Sequence, residues 1–215
     1  MVTFTENKTT FREVENRLFS KYHELDDEII KTASKYDIYL IGGTAIEIWL
    51  NHLNIKGWRK RSNNDFDFIS YHGNPGIKKF AQFLLDKGLV MENEDLSNIM
   101  DFFKLVEDDK VILEVDLMTD ASKTTFNFKK TLNGIKLMSP IYLFYSKFDR
   151  YAVLDPIKHK DRYEKDSKDL IDILKIIDKL KLDEDLEKAL NSENHSDASW
   201  DRLDELIETY NKLRK

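Results

Sequence analysis

The stretch Tyr36-Asp37-Ile38-Tyr39-Leu40-Ile41-Gly42-Gly43-Thr44 decides how the chain is read. Its first six residues are apolar or aromatic apart from Asp37 and read as a short buried strand. Beyond the glycines, Ala45, Ile46, Ile48, Trp49 and Leu53 recur at helical spacing, so Gly42 and Gly43 fall at a strand-to-helix turn. A turn without Cβ atoms lets backbone N–H groups approach a phosphate, the helix N-terminus favours its charge, and Thr44 adds a hydroxyl donor. Paired glycines also serve tight turns for steric reasons alone, so this piece needs support from others.

Support comes from Asp65-Phe66-Asp67-Phe68-Ile69-Ser70-Tyr71. Side chains alternate along a strand, which puts Asp65 and Asp67 on one face. Two carboxylates that close repel one another unless a cation sits between them, and hard oxygen ligands suit Mg²⁺. A solvated edge strand with its polar face outward has the same pattern. Val111-Ile112-Leu113-Glu114-Val115-Asp116-Leu117-Met118 is a second apolar strand with acids two residues apart. Laid beside the first, it would bring a third carboxylate to the same ions, as two-metal phosphoryl or nucleotidyl transfer requires. Asp116 is the expected ligand; Glu114 shares its face and is either a supporting partner or solvated.

The remaining pattern places these pieces in a fold. Thr10 and Glu13 form a capping box for a first helix with Phe11, Val14, Leu18, Leu25 and Ile29 on one face. Gly73-Asn74-Pro75-Gly76 reads as a turn that starts a helix ending at Gly88, with Ile77, Phe80, Ala81, Leu84 and Leu85 against the sheet. Strands follow at Phe102 to Val106, Val111 to Met118, Phe126 to Phe128 and Ile135 to Met138. This order predicts a mixed sheet with helices on it, an α/β or α+β domain. From Pro140 the chain is helical, and the last helix carries Trp200, Leu203, Ile207 and Tyr210 on its face. The expected division is a catalytic domain over residues 1–138, including the first helix, and a C-terminal helical domain over residues 139–215.

Together, the Gly-Gly-Thr turn, the segment Arg61-Ser62-Asn63-Asn64-Asp65-Phe66-Asp67 and the later strand aspartate resemble the DNA polymerase β-type nucleotidyltransferase superfamily. Within it they are most similar to the AbiEii-type toxins of abortive-infection and type IV toxin-antitoxin systems. That group pairs a Gly-Gly/Ser turn with an Arg-x-Thr-x-Asp-x-Asp segment, a Lys in a later helix and a Lys-Asp-x-x-Asp helix. Here Asn63 stands where Thr is usual, and an amide can still donate to a phosphate or carboxylate. The helix opened by Ser139-Pro140 carries Lys147, and Lys168-Asp169-Leu170-Ile171-Asp172 matches the last motif. The resemblance implies that Lys147 neutralises the triphosphate and that Asp169 orients it or acts on an acceptor. Asp169 and Asp172 also lie opposite an apolar stripe of Leu170, Ile173, Leu174 and Ile177, as in any amphipathic helix.

From Gly43 to Asp65 is 22 positions, a connection that ends in the basic cluster Lys56, Arg59, Lys60 and Arg61 around Trp58. This cluster suits a triphosphate or an RNA end, and equally a solvated loop. Of the 215 residues 41% are apolar and 34% charged, which describes a folded chain with a highly charged surface. A net charge of −6 excludes a broad basic field for nucleic acid, though not local docking. There is no cysteine, so disulfides and thiolate sites are excluded, and His23, His52, His72, His159 and His195 show no zinc spacing. No apolar run is long enough to span a membrane, and the N-terminus, with Glu6, Lys8, Arg12, Glu13 and Glu15, lacks a signal-peptide core, so a cytoplasmic location is expected.

The activity these observations predict is Mg²⁺-dependent nucleotidyl transfer. Asp65, Asp67 and Asp116 are expected to hold two Mg²⁺, while Gly42, Gly43, Thr44, Arg61 and Lys147 hold the NTP and Asp169 assists. By the resemblance the acceptor is RNA, tRNA included, or a nucleotide, in a toxin-antitoxin setting with a cognate antitoxin. The alternatives are an antibiotic or protein acceptor, and a non-catalytic nucleotide-binding module of the same fold.

Overall fold

The computed structural model describes residues 23–57, 65–92, 100–120, 129–191 and 197–214. In chain order the elements are α1 (His23–Lys35), β1 (Tyr39–Leu40), α2 (Gly42–His52), β2 (Asp65–Tyr71), α3 (Gly76–Asp86), β3 (Val90–Met91), β4 (Met100–Glu107), β5 (Lys110–Asp120), β6 (Lys129–Leu132), β7 (Ile135–Met138), α4 (Pro140–Val153), α5 (Lys160–Leu180), α6 (Asp183–Asn191) and α7 (Asp197–Leu213). The predicted α/β class holds: the strands form one mixed sheet in the order β3-β4-β5-β2-β1-β7-β6, flanked by helices. The β2–β5 and β1–β7 pairs are parallel and the others antiparallel. No helix among the described residues is long and apolar enough to cross a membrane.

Alternation along β2 builds the two sides of the molecule. Phe66 and Phe68 are buried on one face, where Phe68 meets Phe80 of α3 edge-on at 5.4 Å. Each such buried ring contributes on the order of 2–3 kcal/mol. Asp65 and Asp67 consequently leave by the opposite face. Strand β5 is aligned by a tight hairpin from β4, in which Asp108 and Asp109 both take positive φ (48° and 59°), the turn that matches strand twist.

Several sequence expectations are corrected at their edges. The first strand is only Tyr39–Leu40, because Tyr36 and Ile38 still donate to Ala33 at the end of α1 and Asp37 adopts φ +56°. On α3, Leu85 is exposed; on α7, Leu206 is in the core and Ile207 turns outward. The Thr10 capping box and the strand at Phe126 to Phe128 lie outside the described residues. The middle of α5 is enclosed on nearly every side, so Asp169 and Asp172 are buried with the apolar stripe and do not face solvent.

Asn74 holds the turn between β2 and α3. Its Oδ1 accepts from Gly76 N–H at 2.8 Å, and its Nδ2 lies 2.7 Å from Ser70 Oγ, 2.9 Å from Tyr36 O and 3.2 Å from Asp37 O. The amide is buried and ties the end of α1 to β2, so Asn74→Ala leaves several polar groups unpaired. We expect a loss of about 2–3 kcal/mol, a fall in Tm of about 5–10 °C. A thermal melt unchanged within about 1 °C would show that water replaces the amide.

Candidate functional site

Three carboxylates meet because two strands run side by side in parallel. The β2–β5 register sets Asp67 opposite Asp116 and Asp65 opposite Glu114. One oxygen from each of Asp65, Asp67 and Asp116 lies within 4.8 Å of the other two. Glu114 shares the face but is drawn to Lys104 at 3.3 Å, a lysine that also pairs with Glu92 at 2.8 Å. The expected triad is therefore assembled, and Glu114 stands beside it.

The electrostatics of the cluster are those of a place for a cation. Burial, followed by the charges of Asp67, Asp65 and Glu114, pushes the Asp116 carboxyl from its ordinary 3.8 up to about 7. Asp65 is solvent-exposed yet densely surrounded, and burial and then Asp67 raise it too. Repulsion of this kind is relieved when a divalent ion neutralises the acids. The donors are all hard carboxylate oxygens, with no sulfur or imidazole among them, which fits Mg²⁺.

The acids lie in an open cleft of about 760 Å³, large enough for a nucleotide. One side is the N-terminus of α2, where Ile41, Gly42, Gly43 and Thr44 line the cavity. Gly42 has φ +67°, and a Cβ there would stand 1.8 Å from Asp67 Oδ2, so only glycine admits the carboxylate at this distance. Ile41 supplies no side-chain cap, so no capping side chain satisfies the first-turn N–H groups of this helix end, which lines the cleft. The Thr44 hydroxyl, expected to face a phosphate, instead donates to Asp65 O at 3.1 Å and ties the helix to β2.

The other side is basic and comes from α4 and α5. The side chain of Lys147 is only 9% exposed and reaches Asp169 at 2.9 Å and Asp166 at 4.0 Å. Arg150 grips Asp166 through Nε at 2.7 Å and through a second N–H, and this pairing raises its already high pKa further. Arg162 and Lys165 complete the wall, both exposed, and neither has an ion pair among the described residues.

The structure thus brings Gly42, Gly43, Thr44, Asp65, Asp67, Asp116 and Lys147 to one cleft. Asp169 is not at its surface: it is fully buried behind Lys147, so it contacts the lysine in place of substrate. Arg61 lies outside the described residues. The sequence reading missed Arg150, Arg162, Lys165 and Asp166. Their signal was the spacing of three or four residues: Lys147 and Arg150 on one helix, Arg162, Lys165, Asp166 and Asp169 on the next.

No protein-family model matches the sequence, and no curated protein matches it. Among solved structures, the Megavirus polyadenylate synthase is similar with a TM-score of 0.50 and 19% identity over 76% of this chain, which spans 31% of the length of that protein. An antigenic nucleotidyltransferase-like protein from Paracoccidioides brasiliensis matches at TM-score 0.43 and 15% identity, over 80% of this chain and 96% of its own. The antibiotic-resistance factor ANT(2'')-Ia matches at 0.44 and 14%, over 74% and 90%. The likeness to the polyadenylate synthase shows a shared fold.

Proposed function

We propose that the chain moves a nucleoside monophosphate from an NTP to a hydroxyl acceptor, with divalent metal held by Asp65, Asp67 and Asp116. The observation that carries this reading is the three-acid cluster at the foot of a glycine turn, facing a basic wall across one cleft. Mg²⁺ bound there would polarise the α-phosphate and stabilise charge on the entering and leaving oxygens. The N–H groups of the Gly42-Gly43-Thr44 turn, with Lys147 and Arg150, hold the triphosphate, and the resemblance assigns Arg61 the same task. Asp169 keeps Lys147 aimed into the cleft. The acceptor oxygen bonds to the α-phosphorus as the bond to the bridging oxygen breaks, pyrophosphate leaves against those cations, and the hydroxyl proton passes to the Asp116 carboxylate.

For the acceptor we propose an RNA end, tRNA included, in the toxin-antitoxin setting that the sequence resemblance implies, with an antitoxin as partner. Support comes from Arg162 and Lys165, exposed at the wall of the cleft, whose charges suit a polyanion and would repel a polycationic antibiotic. The test offers each α-³²P-labelled NTP with Mg²⁺ to total RNA, to an aminoglycoside and to a protein fraction, beside an Asp65→Ala/Asp67→Ala control. Label on RNA that depends on the acids is the expected result. Label on the aminoglycoside would replace the RNA reading with the antibiotic one, and binding of NTP without any transfer would leave a nucleotide-binding module.

A further inference from the structure

Resting on the transferase reading, we propose that Asp166 is a positioning residue of the triphosphate site, one that sets the Arg150 guanidinium, and with Asp169 the Lys147 ammonium, to meet the substrate phosphates. Two helices form a ladder of two rungs. Lys147 and Arg150 are one turn apart on α4, and Asp166 and Asp169 are one turn apart on α5. The outer rung joins Arg150 to both oxygens of Asp166; the inner joins Lys147 to Asp169 at 2.9 Å, with Asp166 also within 4.0 Å of the lysine. Both acids are fully buried, whereas both cations line the cleft.

The geometry separates holding from binding. A guanidinium has five N–H donors, and Asp166 takes one edge of the fork, Nε and one terminal nitrogen, so the remaining N–H groups stay free for a second anion. Because the gripping edge is fixed bidentately, the free edge has one direction, and the Arg150 side chain, 37% exposed, lines the cleft. Joining two helices does not by itself call for such a pair, since well-packed apolar side chains do as well or better. Two buried acids that each hold a cleft cation answer a need to present charge at fixed points. Asp166 has no access to the cleft itself, so it acts only through Arg150 and Lys147.

The test is equilibrium binding of the four non-hydrolysable α,β-methylene NTP analogues with Mg²⁺, measured calorimetrically on the full chain, with a thermal melt of each variant. Asp166→Asn, which keeps the shape and loses the charge, is expected to weaken binding about tenfold. Arg150→Gln carries the same expectation on a half-exposed side chain and does not depend on how well the Asn variant folds. Combining the two is expected to cost no more affinity than Arg150→Gln alone beyond the part that acts through Lys147, about twofold. Parent binding with Asp166→Asn unchanged, or fully multiplicative losses in the double variant, would overturn this proposal and leave the transferase reading standing. Absence of binding by the parent to all four analogues overturns both.

Discussion

Replacing Gly42 by alanine will cut the proposed nucleotidyl transfer to about a hundredth of the parent rate or less, although no functional group is removed. The added methyl would lie 1.8 Å from Asp67 Oδ2 and 2.6 Å from its carboxyl carbon, far inside contact distance. Asp67 must therefore swing away from Asp65 and Asp116, or the N-terminus of α2 must retreat from the cleft. The first movement separates the three oxygens that now lie within 4.8 Å of one another, and the second draws the glycine turn away from them. The left-handed backbone at φ +67° adds a strain of about 1 kcal/mol for any residue with a Cβ. Gly73→Ala isolates that second effect: Gly73 has φ +80° but nothing within 4 Å of its added methyl. It should lower Tm slightly and leave both transfer and Mg²⁺-induced stabilisation unchanged. Gly42→Ala should lose both, and parent-level transfer in that variant would show that Asp67 is not placed by the glycine turn.

The contrast between these glycines illustrates what the sequence made legible. Gly42 was readable because it ends an apolar run and begins a helical one, a local pattern. The faces of Asp65, Asp67 and Asp116 were also local, since alternation fixes them once the strands are recognised. What joined β2 to β5 in parallel register was not local: about fifty residues separate the acids, and only the folded sheet sets Asp67 opposite Asp116. The acids of α5 misled for a related reason. Asp169 and Asp172 recur like the solvent face of an amphipathic helix, and their burial depends on cations elsewhere: Lys147 on another helix for Asp169, and for Asp172 the partly buried Lys175 one turn on. Arg150 and Asp166 escaped notice because each belongs to a different helix and has meaning only as a pair. The Asp37 turn shortened β1 because an aspartate accepted a left-handed conformation that the apolar pattern gave no sign of.

Asp116→Asn is expected to move activity and stability in opposite directions. Transfer should fall about a thousandfold, since on the proposed reading the variant loses both a metal ligand and the acceptor of the hydroxyl proton. Yet the metal-free variant should be the more stable protein near pH 8, by about 1–2 kcal/mol after allowing for solvent screening at the cleft. The sign follows from the carboxyl being pushed up from 3.8 to about 7, first by burial and then by Asp67 and Asp65. Between those values the folded parent retains a proton that the unfolded chain has released, so parent stability is greatest below the window and falls as pH rises through it. Asparagine is neutral at every pH, which makes the two melts converge near pH 4 and separate above pH 7. Asp65, also raised, gives both proteins a shared residual slope. Mg²⁺ should then reverse the order near pH 8, stabilising the parent by about 2.7 kcal/mol at a hundredfold excess over Kd and the variant far less. A variant less stable than the parent without metal, or equally stabilised by Mg²⁺, would mean that a fixed donor of the protein already satisfies Asp116. The cluster would then be a finished polar network and not an acidic site that a cation completes.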